Sequence, residues 1–289
     1  MPTLKEIKAR IGSVQQTLKI TSVMKMVASA KFHRAQSSAK AHAIYYEQLN
    51  EILKAVCYKN GMAPLPALAT SHQISQRAIV LAFASDNSLC GRFNANAIRA
   101  LDEAIHQLRN EGFSNITVIP VGEKIRQATV KAGYAVDSNL RAVAGKDAAV
   151  ALPAMAKVLV DYYVSGAVDC VMMVYNHFYS MGHQEPFVEK LLPLVLPPFE
   201  QDLQMPDYIF EPDPRQLLER LLPTILHANL TTRYLDAAMA EHAARTVAMQ
   251  TATDNAQELL DELSLSYNKQ RQQAITNELA DITQGKEQG

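Results

Sequence analysis

Apolar residues near both ends of the chain recur in alternating steps of three and four, while the middle follows a different rhythm. The first stripe runs Leu4, Ile7, Ile11, Val14 and Leu18, then Ala28, Phe32, Ala35 and Ala39, then Tyr46, Leu49, Leu53 and Val56. Thr21, Lys25 and His42 interrupt it. Thr3 and Glu6 open it with the S/T-x-x-E spacing of a capping box, which satisfies free amides at a helix start. Gly12 is the only glycine before Gly61, and Pro2 the only proline before Pro64. This pattern predicts one long helix over residues 1–60 with a coiled-coil seam.

The other end behaves alike. Residues 224–284 contain neither glycine nor proline, and the stripe Met249, Ala252, Ala256, Leu259, Leu263 is too narrow for a helix lying on a broad core. Asp213 followed by Pro214 marks a helix start, with a capping carboxylate and then proline in the first turn. Pro223 predicts a kink, and Gly285 a helix end. Each narrow stripe needs a partner. The simplest arrangement is an antiparallel pair, because an intervening domain can return the chain to near its starting point.

Between the helices the texture changes. Residues 60–76 (NGMAPLPALATSHQISQ) have linker composition, and apolar runs then alternate with helical segments. Strands are expected at Ala78–Ala84, Ile116–Val121 and Val168–Tyr175, with a further extended stretch near Phe187–Leu194. Helices are expected at Ala95–Glu111, Lys124–Ala132 and Ala148–Val164. Eight of the eleven glycines fall from Gly61 to Gly182, where such a layer needs its turns. The fold class is therefore mixed, α+β or α/β: a long antiparallel coiled coil with an inserted Rossmann-like domain of parallel type. The segments are 1–60 for the N-terminal helix, 61–211 for the α/β domain with an irregular foot, and 212–289 for the C-terminal helix.

Composition adds little until it is read locally. The 289 residues are 48% hydrophobic and 20% charged with a net charge of -1, so no global bias points to nucleic acid. The N-terminal helix is nonetheless basic, with Lys5, Lys8, Arg10, Lys19, Lys25, Lys31, Arg34 and Lys40 against Glu6 alone up to that point. The C-terminal helix is mildly acidic, a difference that favours their association. Cys57, Cys90 and Cys170 are far apart and lack metal spacing, which suits a reducing compartment. With no apolar signal core or bilayer-spanning run, the chain is expected to be soluble and to meet a membrane only through partners.

The inserted domain invites a nucleotide, and its loops do not supply the parts. The loop after the first strand, Ser85 to Arg92, sits where a phosphate loop would be, yet it has neither GxGxxG nor GxxxxGK[ST]. Gly122 stands alone in the next candidate loop. Cys90 could be a nucleophile at a helix start, but a small buried thiol is the simpler reading. His177 and His183 lack a third ligand nearby in sequence. Asp161, Asp169 and Glu185 read as surface acids. No cofactor, metal or catalytic residue is expected. The alternative, a nucleotide-binding α/β enzyme with a helical dimerisation arm, rests on fold type alone.

Several stretches carry a specific likeness. Residues 20–31 (ITSVMKMVASAK), 85–91 (SDNSLCG), 211–214 (EPDP) and 248–256 (AMQTATDNA), with Tyr267-Asn268-Lys269-Gln270 and Ile275-Thr276-Asn277-Glu278-Leu279, resemble the gamma subunits of rotary F-type ATP synthases. The likeness covers essentially the whole chain in the right order. Two departures are a missing second glycine after Cys90-Gly91 and Lys286 after Gly285, where the family usually has alanine. The resemblance implies a central-stalk rotor: a shaft inside a ring of alpha and beta subunits, standing on the c ring beside the epsilon subunit and coupling proton-driven rotation to ATP synthesis or hydrolysis at beta. It implies beta contacts at Met24, Lys25, Arg271, Gln272 and Thr276, and a foot toward the c ring at Tyr208 and Glu211. It also implies a peripheral position on the cytoplasmic face of a bacterial inner membrane.

Overall fold

In the computed structural model, residues 3–61, 65–72, 76–137, 148–197 and 208–287 are described. The elements run α1 (Leu4–Asn60), a 3-10 turn (Ala67–Ala69), β1 (Arg77–Phe83), α2 (Phe93–Asn110), β2 (Asn115–Val121), α3 (Glu123–Lys131), β3 (Ala135–Val136), α4 (Ala148–Val164), β4 (Cys170–Ser180), β5 (His183–Leu192) and α5 (Pro214–Glu287). The chain divides into two compact units: residues 1–29 with 245–289, and residues 30–244.

The first unit holds the beginning of α1 and the last part of α5. The capping box is reciprocal: the Thr3 amide donates to Glu6 Oε2 at 2.8 Å, and the Glu6 amide to Thr3 Oγ1 at 3.3 Å. The predicted stripe is the covered face of α1, with Ile7, Thr21 and Ala28 buried and Leu4, Ile11, Val14 and Leu18 half-buried. Thr21, an interruption in the apolar pattern, is paired. The Thr253 hydroxyl donates to it at 2.9 Å, and its own hydroxyl reaches the Leu18 carbonyl at 3.2 Å. On α5 the stripe needs correction. Ala252 of the expected stripe is half-buried, Leu259 is 45% exposed, and the covered line runs Met249, Thr253, Ala256, Leu260, Leu263, Tyr267, Gln270 and Ala274. These keep the three-four step, whereas the apolar-only reading skipped Thr253 and therefore placed the next seam leucine one residue too early. Gly285 does not end α5, which continues to Glu287.

The second unit carries a five-stranded sheet in the order β3-β2-β1-β4-β5. The first four strands are parallel, and β5 pairs antiparallel with β4. The parallel expectation thus fails at one edge, where β4 and β5 form a hairpin. Such a connection needs only a tight turn, whereas parallel neighbours need a crossover. The short β3 was absent from the apolar pattern because two residues cannot show a period. On one sheet face Val80, Ala82, Val118, Cys170, Met172 and Val174 pack with Ala97, Leu101, Ile105 and Leu108 of α2. On the other, Ile79, Leu81, Ile119, Val171 and Met173 pack with Leu159 and Tyr163 of α4 and with both long helices. There Leu49, Leu53 and Val56 of α1 share the core with Leu218, Leu222, Ile225 and Leu226 of α5. Both faces of the central strands are covered, so their sequences read as unbroken apolar runs.

Within the expected linker, the described residues 65–72 pack into the fold. Leu68 of the 3-10 turn is buried, and the Thr70 carbonyl accepts the Tyr163 hydroxyl at 2.8 Å. The Asp213 carboxylate caps α5 by accepting the Gln216 amide at 3.0 Å. Pro223 lies inside α5, which continues through it as helix.

Candidate functional site

Chemistry would be sought first at the carboxyl end of β1, where open α/β sheets bind ligands. There the loop from Ser85 is closed on itself. The Ser85 hydroxyl lies 2.9 Å from Asn94 Oδ1 and 2.7 Å from the Asn87 carbonyl, and Asn94 Nδ2 points at Cys90 Sγ at 3.2 Å. The Asp86 carboxylate accepts the Glu123 amide at 3.0 Å, occupying the start of α3 that a phosphate would need. Gly122 is obligatory here. It has φ +111°, and a Cβ would lie 2.0 Å from the Ala84 carbonyl oxygen. Tyr234, Ala237, Ala238 and Glu241 of α5 close over the crevice, leaving about 70 Å³. Asp86 and Glu241 line what remains, two carboxylates that repel phosphate. The crevice is a packed joint between helix and sheet.

The remaining chemical candidates are structural. Cys90 is buried against Phe93, Ala240 and Ala244. Burial pushes the Cys57 and Cys170 thiols up to about 11, so neither is a ready nucleophile. His177 Nδ1 lies 2.5 Å from Asp236 of α5, whose other oxygen accepts the Phe178 amide at 3.1 Å. His183 pairs with Glu185 at 3.2 Å. Among the described residues no three His, Cys, Asp or Glu side chains gather as metal ligands would.

Asp169, expected on the surface, is 8% exposed. It binds the amides of Gln76 (3.1 Å) and Arg77 (2.9 Å) and His72 Nδ1 (3.0 Å). Burial alone would raise its carboxyl, but the two amides, His72 and the nearby Arg77 guanidinium outweigh it and hold it below the ordinary carboxylate range. Arg233 of α5 joins Glu189 of β5 at 2.8 Å and lies 5.8 Å from the centre of the Tyr175 ring. His42 of α1 meets Thr232 of α5 at 3.1 Å. Burial first, then the neighbouring His227, lowers the His42 pKa below 6.5. Charge and polarity here fasten helices to each other and to the sheet.

The outside of the helical unit carries an open apolar stripe. On α1, Ile20 is 59% exposed and Met26 63%, with Val23 and Val27 also open. Ile20, Val23 and then Met26 with Val27 follow at steps of three to four residues, on the side of α1 away from Thr21 and Ala28. Met24 and Lys25 flank this stripe and are half-buried, while Arg271, Gln272 and Thr276 are exposed on α5. These five share the unit of residues 1–29 and 245–289. Tyr208 and Glu211 belong to the other unit and are exposed just before α5. The residues missed from sequence are seam residues, Thr253, Leu260 and Thr232. The first two could have been found by letting polar side chains count in the three-four step.

Comparison with known proteins agrees on one family. A family profile described as ATP synthase matches residues 3–288. The chain is 43% identical over 289 residues to the ATP synthase gamma chain of Bacteroides fragilis, covering 99% of both chains. It is 36% identical to that of Geobacter metallireducens over 287 residues, again covering 99% of both. Among solved structures it is similar in fold to a chain of the Euglena gracilis mitochondrial ATP synthase (OSCP/F1/c-ring), with a TM-score of 0.59 and 17% identity over 96% of this chain and 92% of that one. A chain from the central stalk and c ring of the Tetrahymena thermophila mitochondrial ATP synthase gives 0.57 and 18%, over 81% and 99%.

Proposed function

The chain belongs to the family of ATP synthase gamma chains, non-catalytic stalk subunits, and on that premise we propose that it works as a shaft turned within a sleeve of alpha and beta subunits. The observation that carries this is the exposed apolar stripe Ile20, Val23, Met26 and Val27 on a helix whose opposite face is already occupied. A stripe without hydrogen-bonding groups can slide past a ring of neighbours without breaking a bond at each step. Its unequal sides give those neighbours different contacts in turn, and differential contact is what shifts a conformational equilibrium.

On this reading Met24 and Lys25 meet the beta subunits from α1, and Arg271, Gln272 and Thr276 meet them from α5. Tyr208 and Glu211 form the foot on the c ring, beside the epsilon subunit. Residues 1–60 and 212–289 then serve as the shaft, with 61–211 as the body that grips the rest of the rotor. Among the described residues no helix is long and apolar enough to cross a membrane. The chain belongs to a membrane-associated complex, and its place is the cytoplasmic face of a bacterial inner membrane, held there by partners.

The test is ATP synthesis driven by a proton gradient in reconstituted vesicles. Replacing Arg271, Gln272 and Thr276 together by alanine should lower coupled synthesis about 10-fold or more if their contacts carry torque, since about 1.4 kcal/mol lost at a driving step is worth that factor. Unchanged synthesis from an intact assembly would overturn the assignment of these residues.

A further inference from the structure

β5 is the last strand of the sheet, so one row of its backbone groups has no strand partner among the described residues. A cavity of about 420 Å³ runs beside it, lined consecutively by Phe187, Val188, Glu189 and Lys190. Its far wall is Leu53 of α1 with Leu222 and Ile225 of α5. Asn229 also lines it. That residue is 6% exposed, and its Oδ1 is buried without a hydrogen-bond partner. A buried carboxamide oxygen left unsatisfied loses its hydrogen bond to water without replacement, which makes it a rare feature needing a reason.

We infer that this edge and cavity form a docking site for an extended peptide segment of another chain, added to the sheet as a sixth strand. Pro186 sets the phase of the edge. A proline in a strand loses no ladder bond only where its nitrogen faces the open side. Val188 and Lys190 pair across to Val174 and Met172 in the same alternation as Pro186 to Asn176. Their N–H and C=O groups therefore point outward along the cavity, ready for an incoming backbone. Every second side chain of the added strand enters the apolar space before Leu53, Leu222 and Ile225, and its backbone gives Asn229 the missing partner. Lys190 is exposed and has no salt bridge among the described residues, so charge complementarity places an acidic residue opposite it. The occupant is a short extended segment of alternating apolar residues with one acid.

The inference rests on the assembly proposed above, whose own failure would be read first, as absence of the chain from purified ATP synthase. The experiment compares hydrogen exchange of the purified enzyme with that of the isolated chain. The amides of Val188 and Lys190 should exchange about 10-fold or more slowly in the assembled enzyme, with β4 amides slow in both. Val188→Pro should return Lys190 to fast exchange, and Asn229→Leu should speed both amides, while β4 stays protected as the check on folding. A photo-crosslinker at Phe187 should join a segment whose own amides are slow. Equal rates in the two states would overturn the inference, and so would a crosslink to a helix. Protection in the isolated chain that grows with its concentration would assign the edge to a second copy and overturn it as well.

Discussion

The sheet and the helix pair of residues 1–29 with 245–289 are held by different means. Around the sheet, central residues such as Val80, Leu81, Val171 and Met173 are wholly buried, with neighbours on both sides. In the helix pair, among the described residues, only Ile7, Thr21 and Ala28 of α1 and Met249 and Ala256 of α5 are buried, a single line along each helix. A sheet layer loses one contact among many when one side chain is trimmed. A seam loses one of a few, and a break in it interrupts everything that must pass along the rod. Thinness makes the helix pair sensitive to backbone geometry, whereas the sheet is sensitive to volume and to buried charge.

That contrast can be broken most sharply at Met249. Proline there removes a helical hydrogen bond and clashes with the preceding turn, at a cost of about 3 kcal/mol or more. Coupled ATP synthesis should be lost while a compact sheet survives, seen as retained slow exchange in β1 and β4. Normal synthesis would count against the seam as placed.

Next in size is Asp169→Ala, which strands the amides of Gln76 and Arg77 and should cost about 1–3 kcal/mol in urea unfolding. Because the folded carboxyl lies below its ordinary range, its stabilisation is fully present above the unfolded value of about 4 and fades as pH falls through the lower, folded one. The variant should therefore have a flatter acid limb. An unchanged limb would mean that Asp169 is not the group being titrated.

A smaller effect separates specificity from strength in the seam. Thr253→Val alone takes the donor from Thr21 and should destabilise by about 1 kcal/mol. Adding Thr21→Val should recover most of it, because no polar group is then left unpaired. Strictly additive losses would show that the two hydroxyls act independently.

The smallest effect is at His42. Its folded pKa is depressed by burial and then by His227, so the unfolded chain binds more protons below about 6.5. Stability should decline as pH drops through that value, and His42→Gln, which keeps a hydrogen-bonding group near Thr232, should soften the decline. A titration curve identical to that of the parent chain would remove His42 from the account.

Much of this was legible in the residues. Thr3 with Glu6 and Asp213 with Pro214 marked the two helix starts through local hydrogen bonding alone. The apolar runs near 79–83 and 168–175 marked strands covered on both faces. Asp169 was misread because nothing nearby in sequence shows that His72, Gln76 and Arg77 will meet it. Leu259 was misread because an apolar-only pattern cannot admit Thr253 to the seam.

The sequence by itself determined the two long helices, the alternating middle and the absence of a phosphate loop, since periodicity, caps and breakers act over a few residues. Only the tertiary structure decided that α5 closes the crevice at β1, that Thr21 and His42 have partners near the other end of the chain, and that β5 turns back against β4 as the last strand among the described residues. Those outcomes depend on which distant groups meet, and a local pattern carries no record of that.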